Sequence, residues 1–248
     1  MKKNLWLTYI TIALLSLKFT FAAKPEEETL SLKPSYEELI SHPYTDHVPA
    51  FKTLFDLFPN PTLIEFGVGR GTYYLLQRCK FVFSLELLGI MPTETYNEEF
   101  YAWYKACVEE YKNFPNWNHD VYFATDDLSD ANLVSLQVHP YRTSYPHLYL
   151  DEIRYICDKY AAPGKYDMAF VDSGIHNRGE IVNELFGRVK IIVAHDTGYS
   201  RHHYGWDKIR CPEDYTRVTY KRGVNTSFWI HNSLKELSDK LRSLDTFE

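Results

Sequence analysis

Leu63-Ile64-Glu65-Phe66-Gly67-Val68-Gly69-Arg70-Gly71-Thr72 runs from apolar residues into three glycines at alternate positions and on into a helix-forming segment. A buried strand that turns through glycines into a helix lets the backbone approach a ligand with no Cβ in the way. It also aims the unpaired N–H groups of the first helical turn at that ligand. The spacing separates two kinds of nucleotide turn. A G-x-G-x-x-G dinucleotide fingerprint would put its third glycine at Thr72, whereas here the third glycine is Gly71, and an acid, Glu65, stands two residues before Gly67.

A second acid follows at the expected distance. Phe81-Val82-Phe83-Ser84-Leu85 is a short, almost wholly apolar run of the kind buried on both faces of a parallel sheet, and it ends at Glu86, 19 residues after Gly67. In doubly wound sheets a carboxylate at the end of the second strand accepts hydrogen bonds from ribose hydroxyls. With Glu65 and Glu86 in place, the pattern resembles motif I of the class I S-adenosylmethionine-dependent methyltransferases. The resemblance implies S-adenosylmethionine as cofactor, held by Glu65, Gly67, Gly69, Gly71 and Glu86, with Glu65 near the methionine amino group and Glu86 on the ribose. It also implies an acid near the adenine, just past the third strand. Val121-Tyr122-Phe123-Ala124 is followed by Asp126 and Asp127, which take that place or else cap the next helical segment.

The second half supplies more polar residues at strand ends. Tyr166-Asp167-Met168-Ala169-Phe170-Val171-Asp172 reads as a fourth strand followed by Ser173-Gly174-Ile175-His176, and Lys190-Ile191-Ile192-Val193-Ala194-His195-Asp196 as a fifth. Ligands bind outside the carboxyl ends of such strands, so Glu65, Glu86, Asp172, His195 and Asp196 are expected on one rim. This half resembles methyltransferases in which a strand ending in Asp is followed by His and a later strand ends in His-Asp or Tyr-Asp. More distantly it is similar to the metal-dependent O-methyltransferases of the catechol and caffeoyl-coenzyme A type, whose strand-end aspartates bind magnesium. Asp172 and Asp196 match those aspartates, while Thr197 replaces a metal-binding asparagine and Ile175 a catalytic lysine. The expected catalytic set is therefore Asp172, His176, His195 and Asp196. A neutral imidazole near pH 7 takes a proton from an acceptor hydroxyl or joins carboxylates in binding a divalent metal, here on Asp172, His195 and Asp196. The alternative is that His195 is a hydrogen-bonded rim residue and His176 a loop cap.

Outward from these motifs the chain alternates helix and strand. Val48, Phe51, Leu54, Phe55 and Phe58 recur at helical spacing, and two strand-like runs around Arg222-Gly223-Val224-Asn225 read as a hairpin. The expected fold is α/β: a doubly wound, mostly parallel seven-stranded sheet with an antiparallel C-terminal strand. One domain is expected over residues 48–248, preceded by an irregular lead-in over 23–47. Residues 1–22 carry lysines, an apolar run and small residues in the order of a secretory signal peptide, the rival reading being an uncleaved anchor, which would be the chain's one contact with a membrane. An extracytoplasmic location follows. The formal net charge is −6, and cleavage after Ala22 removes three lysines and no acid, so a nucleic-acid substrate is excluded. Cys79, Cys107, Cys157 and Cys211 permit two disulfides in three pairings or four free thiols, and no C-x-x-C occurs.

The leading functional expectation is O-methylation of a small or medium acceptor, chosen by the segments 88–118 and 137–165. Two others stand beside it: an exported methyltransferase-like binding protein without turnover, and a metal-dependent hydroxylase or hydrolase on the same scaffold.

Overall fold

The structure, a computed structural model, describes residues 31–89, 94–124, 148, 150–199 and 204–248. The leader, Asp126 and Asp127 lie outside these residues. Among the described residues no helix is long and apolar enough to cross a membrane.

Helix α1 (Tyr36–Ser41) opens on a capping box in which Ser35 and Glu38 satisfy each other's backbone N–H groups, and α2 (Val48–Leu57) follows. The strands and crossovers then alternate: β1 (Thr62–Phe66), α3 (Arg70–Arg78), β2 (Phe81–Gly89), α4 (Glu94–Tyr111), β3 (Trp117–Ala124), α5 (Leu150–Tyr160), β4 (Met168–Val171), α6 (Arg178–Leu185) and β5 (Ile191–His195). The hairpin β6 (Tyr215–Tyr220) and β7 (Thr226–His231) and helix α7 (Lys235–Arg242) close the chain. The seven strands lie in the order β3-β2-β1-β4-β5-β7-β6; β1 to β5 pair in parallel, and β7 is antiparallel to both β5 and β6. The sheet expected from the sequence is thus the sheet observed, with the antiparallel strand inserted beside β5 and β6 at the edge.

Side-chain alternation sorts the central strands into two layers. Leu63, Val82, Met168, Phe170, Ile191 and Val193 face α2, α3 and α4, while Ile64, Phe66, Ala169, Val171, Ile192 and Ala194 face α5 and α6. Full burial on both faces is why β4 and β5 read as unbroken apolar runs. Two boundaries differ from the sequence reading. β3 starts at Trp117 rather than Val121: as the edge strand it has one partner, so the polar stretch Asn118-His119-Asp120 is tolerated in it. β2 runs on to Gly89, because its pairing with β3 continues to Gly89 opposite Ala124 after β1 has stopped at Phe66 opposite Leu85. Glu86 therefore sits inside a strand, yet it is the first residue beyond the end of β1. All four cysteines are free thiols, three of them buried.

Candidate functional site

The glycine turn is fixed from beneath. In phase with Leu63, Glu65 faces α3, where Thr72 Oγ1 donates to its carboxylate at 2.9 and 3.0 Å and Ser84 Oγ donates to Oε2 at 2.8 Å. Thr72 Oγ1 also accepts the Gly69 N–H at 3.0 Å, and Ser84 Oγ accepts from Trp117 Nε1 at 2.9 Å. Glu65 is 2% exposed, and burial pushes its carboxyl up to about 8 against the partial counter-effect of these hydroxyls. Both its oxygens are turned onto these hydroxyls of α3 and β2, so the side chain is directed inward beneath the turn and not toward the ligand that the resemblance implies. Thr72 and Ser84 are the partners sequence reading did not single out.

The three glycines do different things. Gly67 has φ of +107°, and a Cβ there would lie 2.5 Å from the Asp172 carbonyl oxygen. A Cβ on Gly71 would lie 2.7 Å from His47 Nε2. Both glycines therefore answer to packing. A Cβ on Gly69, the N-cap of α3, meets nothing within 4 Å among the described residues, so of the three this is the glycine left open by them at a helix N-terminus. Beside it, Glu86 accepts the Val68 N–H at 2.8 Å on one oxygen and the Leu87 N–H at 3.0 Å on the other. Among the described residues no other donor meets either oxygen, so each keeps acceptor capacity. Burial lifts this carboxyl to about 7, offset in part by the two backbone N–H groups. Trp103 Nε1 donates to the Val68 carbonyl at 3.0 Å, laying α4 along the turn.

A charged cluster occupies the ends of β4 and β5. Arg178 Nη1 donates to Asp172 Oδ1 and to Asp196 Oδ2, each at 2.9 Å. His195 Nδ1 lies 3.3 Å from Asp172 Oδ1, and His195 Nε2 lies 2.5 Å from Asp46 Oδ1. Asp46 accepts the Val224 N–H at 3.1 Å on its other oxygen, tying the β6–β7 turn to the cluster. Burial favours a neutral His195, but Asp172, then Asp46 and Asp196, outweigh it and raise the ring to about 10. Burial likewise opposes ionisation of Asp172, but His195 and then Arg178 hold it down to about 2. Asp196 is pushed up by burial and by the Asp172 charge. It adopts φ of +64°, a left-handed conformation that Asp tolerates better than most side chains.

His195 and Asp196 thus stand on the expected rim with Asp172, but His195 is an ion-paired imidazolium and not the neutral base expected from its ordinary value. His176 is not in the cluster: its ring packs edge-on against Tyr204, 5.4 Å between centroids, and Arg178 covers the same Tyr204 ring at 4.0 Å. Asp172, His195 and Asp196, the expected metal set, do bring one ligand atom each within 4.8 Å of one another, and the Arg178 guanidinium bridges Asp172 and Asp196 there. Arg178 was not singled out in the sequence, nor were Asp46 and His47, which fall in the stretch read as an irregular lead-in. Asp46 lies 149 residues before His195, a separation no local pattern bridges.

No family model matches this chain, and no curated protein does. Among solved structures it is similar to a methyltransferase from Geobacter sulfurreducens, with 11% identity over 90% of this chain and 96% of that one and a TM-score of 0.44. The strand order, with β7 antiparallel between β5 and β6, is the deciding observation. The fold is that of the class I methyltransferases. The glycine turn, Glu65 and Glu86 lie where β1 and β2 end, and the charged cluster lies where β4 and β5 end.

Proposed function

We propose that the protein binds S-adenosylmethionine on the Gly67–Gly71 turn and methylates an oxygen of a small or medium acceptor outside the cytoplasm. The observation that carries this reading is the pairing of Gly69, open at the N-terminus of α3, with Glu86, whose two oxygens each keep acceptor capacity beside the same turn. A ribose diol offers two donors, which suits Glu86, and the location draws on the leader-like residues 1–22.

When bound, S-adenosylmethionine supplies an electrophilic methyl group. The chain's residues have two tasks: to align the acceptor oxygen and to receive its proton. His195 cannot take a proton, because it already holds one between Asp46 and Asp172. Asp172 is a poor base for the same electrostatic reason. Asp196, pushed up in affinity for a proton and with its side chain 14% exposed, is the group suited to accept it, with Arg178 fixing its orientation.

Titration of S-adenosylhomocysteine into the purified protein by calorimetry tests the cofactor assignment. Gly69→Asp is a clean control: the backbone there is extended, with φ of −163°, and the added side chain points into open space, so the fold should survive while the ligand is blocked. Micromolar binding that disappears in Gly69→Asp is the expected result. Equal binding by both proteins, or none by either folded protein, would remove the reading.

A further inference from the structure

Behind the rim, His47 presents a puzzle of its own. It is 2% exposed, burial keeps its ring neutral down to about 3, and neither ring nitrogen has a hydrogen-bond partner among the described residues. A buried imidazole with both nitrogens unanswered forgoes hydrogen bonds that water would have supplied, so its burial calls for a partner. The ring is nonetheless held firmly: it packs on Phe170 at 5.0 Å and Phe51 at 5.9 Å, and Gly71 leaves it room where any Cβ would collide. It lies edge-on to His195, 4.6 Å between centroids.

From this arrangement we infer that Asp46, His47 and His195 form a binding site for a divalent transition-metal ion of the zinc or iron class. One potential ligand atom from each of the three residues lies within 4.8 Å of the others. Two imidazoles and a carboxylate suit zinc, iron or cobalt better than magnesium or calcium. The surrounding groups already orient the ligands as metal sites require. Asp172 stands 3.3 Å from His195 Nδ1, which leaves Nε2 turned toward Asp46, and the Val224 N–H fixes the second oxygen of Asp46. This site shares His195 with the carboxylate pair Asp172 and Asp196, but it uses the side of the ring that Arg178 does not block. The inference stands apart from the cofactor assignment, since it needs neither Glu86 nor the glycine turn.

Cobalt(II) titration of the full, metal-stripped protein provides the test, read by visible absorption and by competition with zinc. The expected result is one equivalent bound, with the intense bands of a four-coordinate site, abolished by His47→Gln and by Asp46→Asn and retained in Asp196→Asn. Thermal melts establish that each variant is folded, and a variant that fails to fold is replaced by His47→Asn or Asp46→Ser. Absence of cobalt and zinc binding in the folded wild-type protein overturns the site. Binding that survives loss of His47, or that is lost with Asp196, also overturns it and moves the metal to the Asp172 and Asp196 side.

Discussion

On the β1–β2 side of the sheet edge, Glu65 and Glu86 meet only neutral donors in hydrogen-bond contact among the described residues, and burial lifts their carboxyls to about 8 and about 7. On the β4–β5 side Asp172 is less enclosed, its side chain 23% exposed, and an imidazolium and a guanidinium hold it down to about 2. Hydroxyls and backbone N–H groups satisfy the geometry of a carboxylate without matching its charge; only the second arrangement does both. The consequence for function is a division of labour along one edge. The neutral half leaves acceptor capacity on Glu86 beside the glycine turn, and the ionic half holds its histidine in ion pairs.

Removing the cation from the ionic half should give the largest effect. Arg178→Met leaves Asp172 and Asp196 facing each other across a buried gap, and a loss of about 3–5 kcal/mol in denaturant-measured stability is expected. A loss below about 1 kcal/mol would show that the guanidinium is not what holds the two carboxylates. In the neutral half, Thr72→Val takes away both the donor to Glu65 and the acceptor of the Gly69 N–H. A smaller loss of about 1–3 kcal/mol should follow by the same assay.

The two halves also differ in the pH range over which they lose stability. Glu65 is raised from its ordinary 4.5 to about 8, so its contribution is complete below pH 4.5 and is lost as pH rises to 8. His195, raised from 6.5 to about 10, contributes fully below pH 6.5 and loses that contribution by pH 10. Asp172, lowered from 3.8 to about 2, contributes above pH 3.8 and fails as pH falls to 2. Melting temperatures measured from pH 3 to pH 10 should therefore decline above about pH 5. Glu65→Gln should reduce that decline up to about pH 8, leaving the share of Glu86, and should not change the part between pH 8 and pH 10 that belongs to His195. At pH 7, where keeping the Glu65 proton already works against the folded state, the same substitution should be neutral or stabilising, because an amide carries no such penalty and can serve both Thr72 and Ser84.

The two halves were not equally legible in the sequence. The glycine turn, Glu65 and Glu86 lie within a few dozen residues of one another, so spacing alone brings them together, and strand alternation puts Asp172 and His195 in phase with them. What spacing could not show was the use made of each group. Gly67 and Gly71 are required by Asp172 and His47, residues from distant segments, and Glu65 faces inward because Thr72 and Ser84 meet it there. The ionic half depends on Asp46 and Arg178. Asp46 lies in a polar stretch without periodicity, and Arg178 is the first residue of α6, where an arginine reads as an ordinary solvated residue. The late start assigned to β3 has a local cause, since polar residues on an edge strand mask its period.

The central claim is that Glu86, and not Glu65, meets the cofactor. Calorimetric affinities for S-adenosylhomocysteine of Glu86→Gln and Glu65→Gln, measured side by side at pH 7.5, address it directly. The account predicts a loss of tenfold or more, about 1.4 kcal/mol, for Glu86→Gln and a change of less than about threefold for Glu65→Gln. Equal losses, or the larger loss at Glu65, would contradict it.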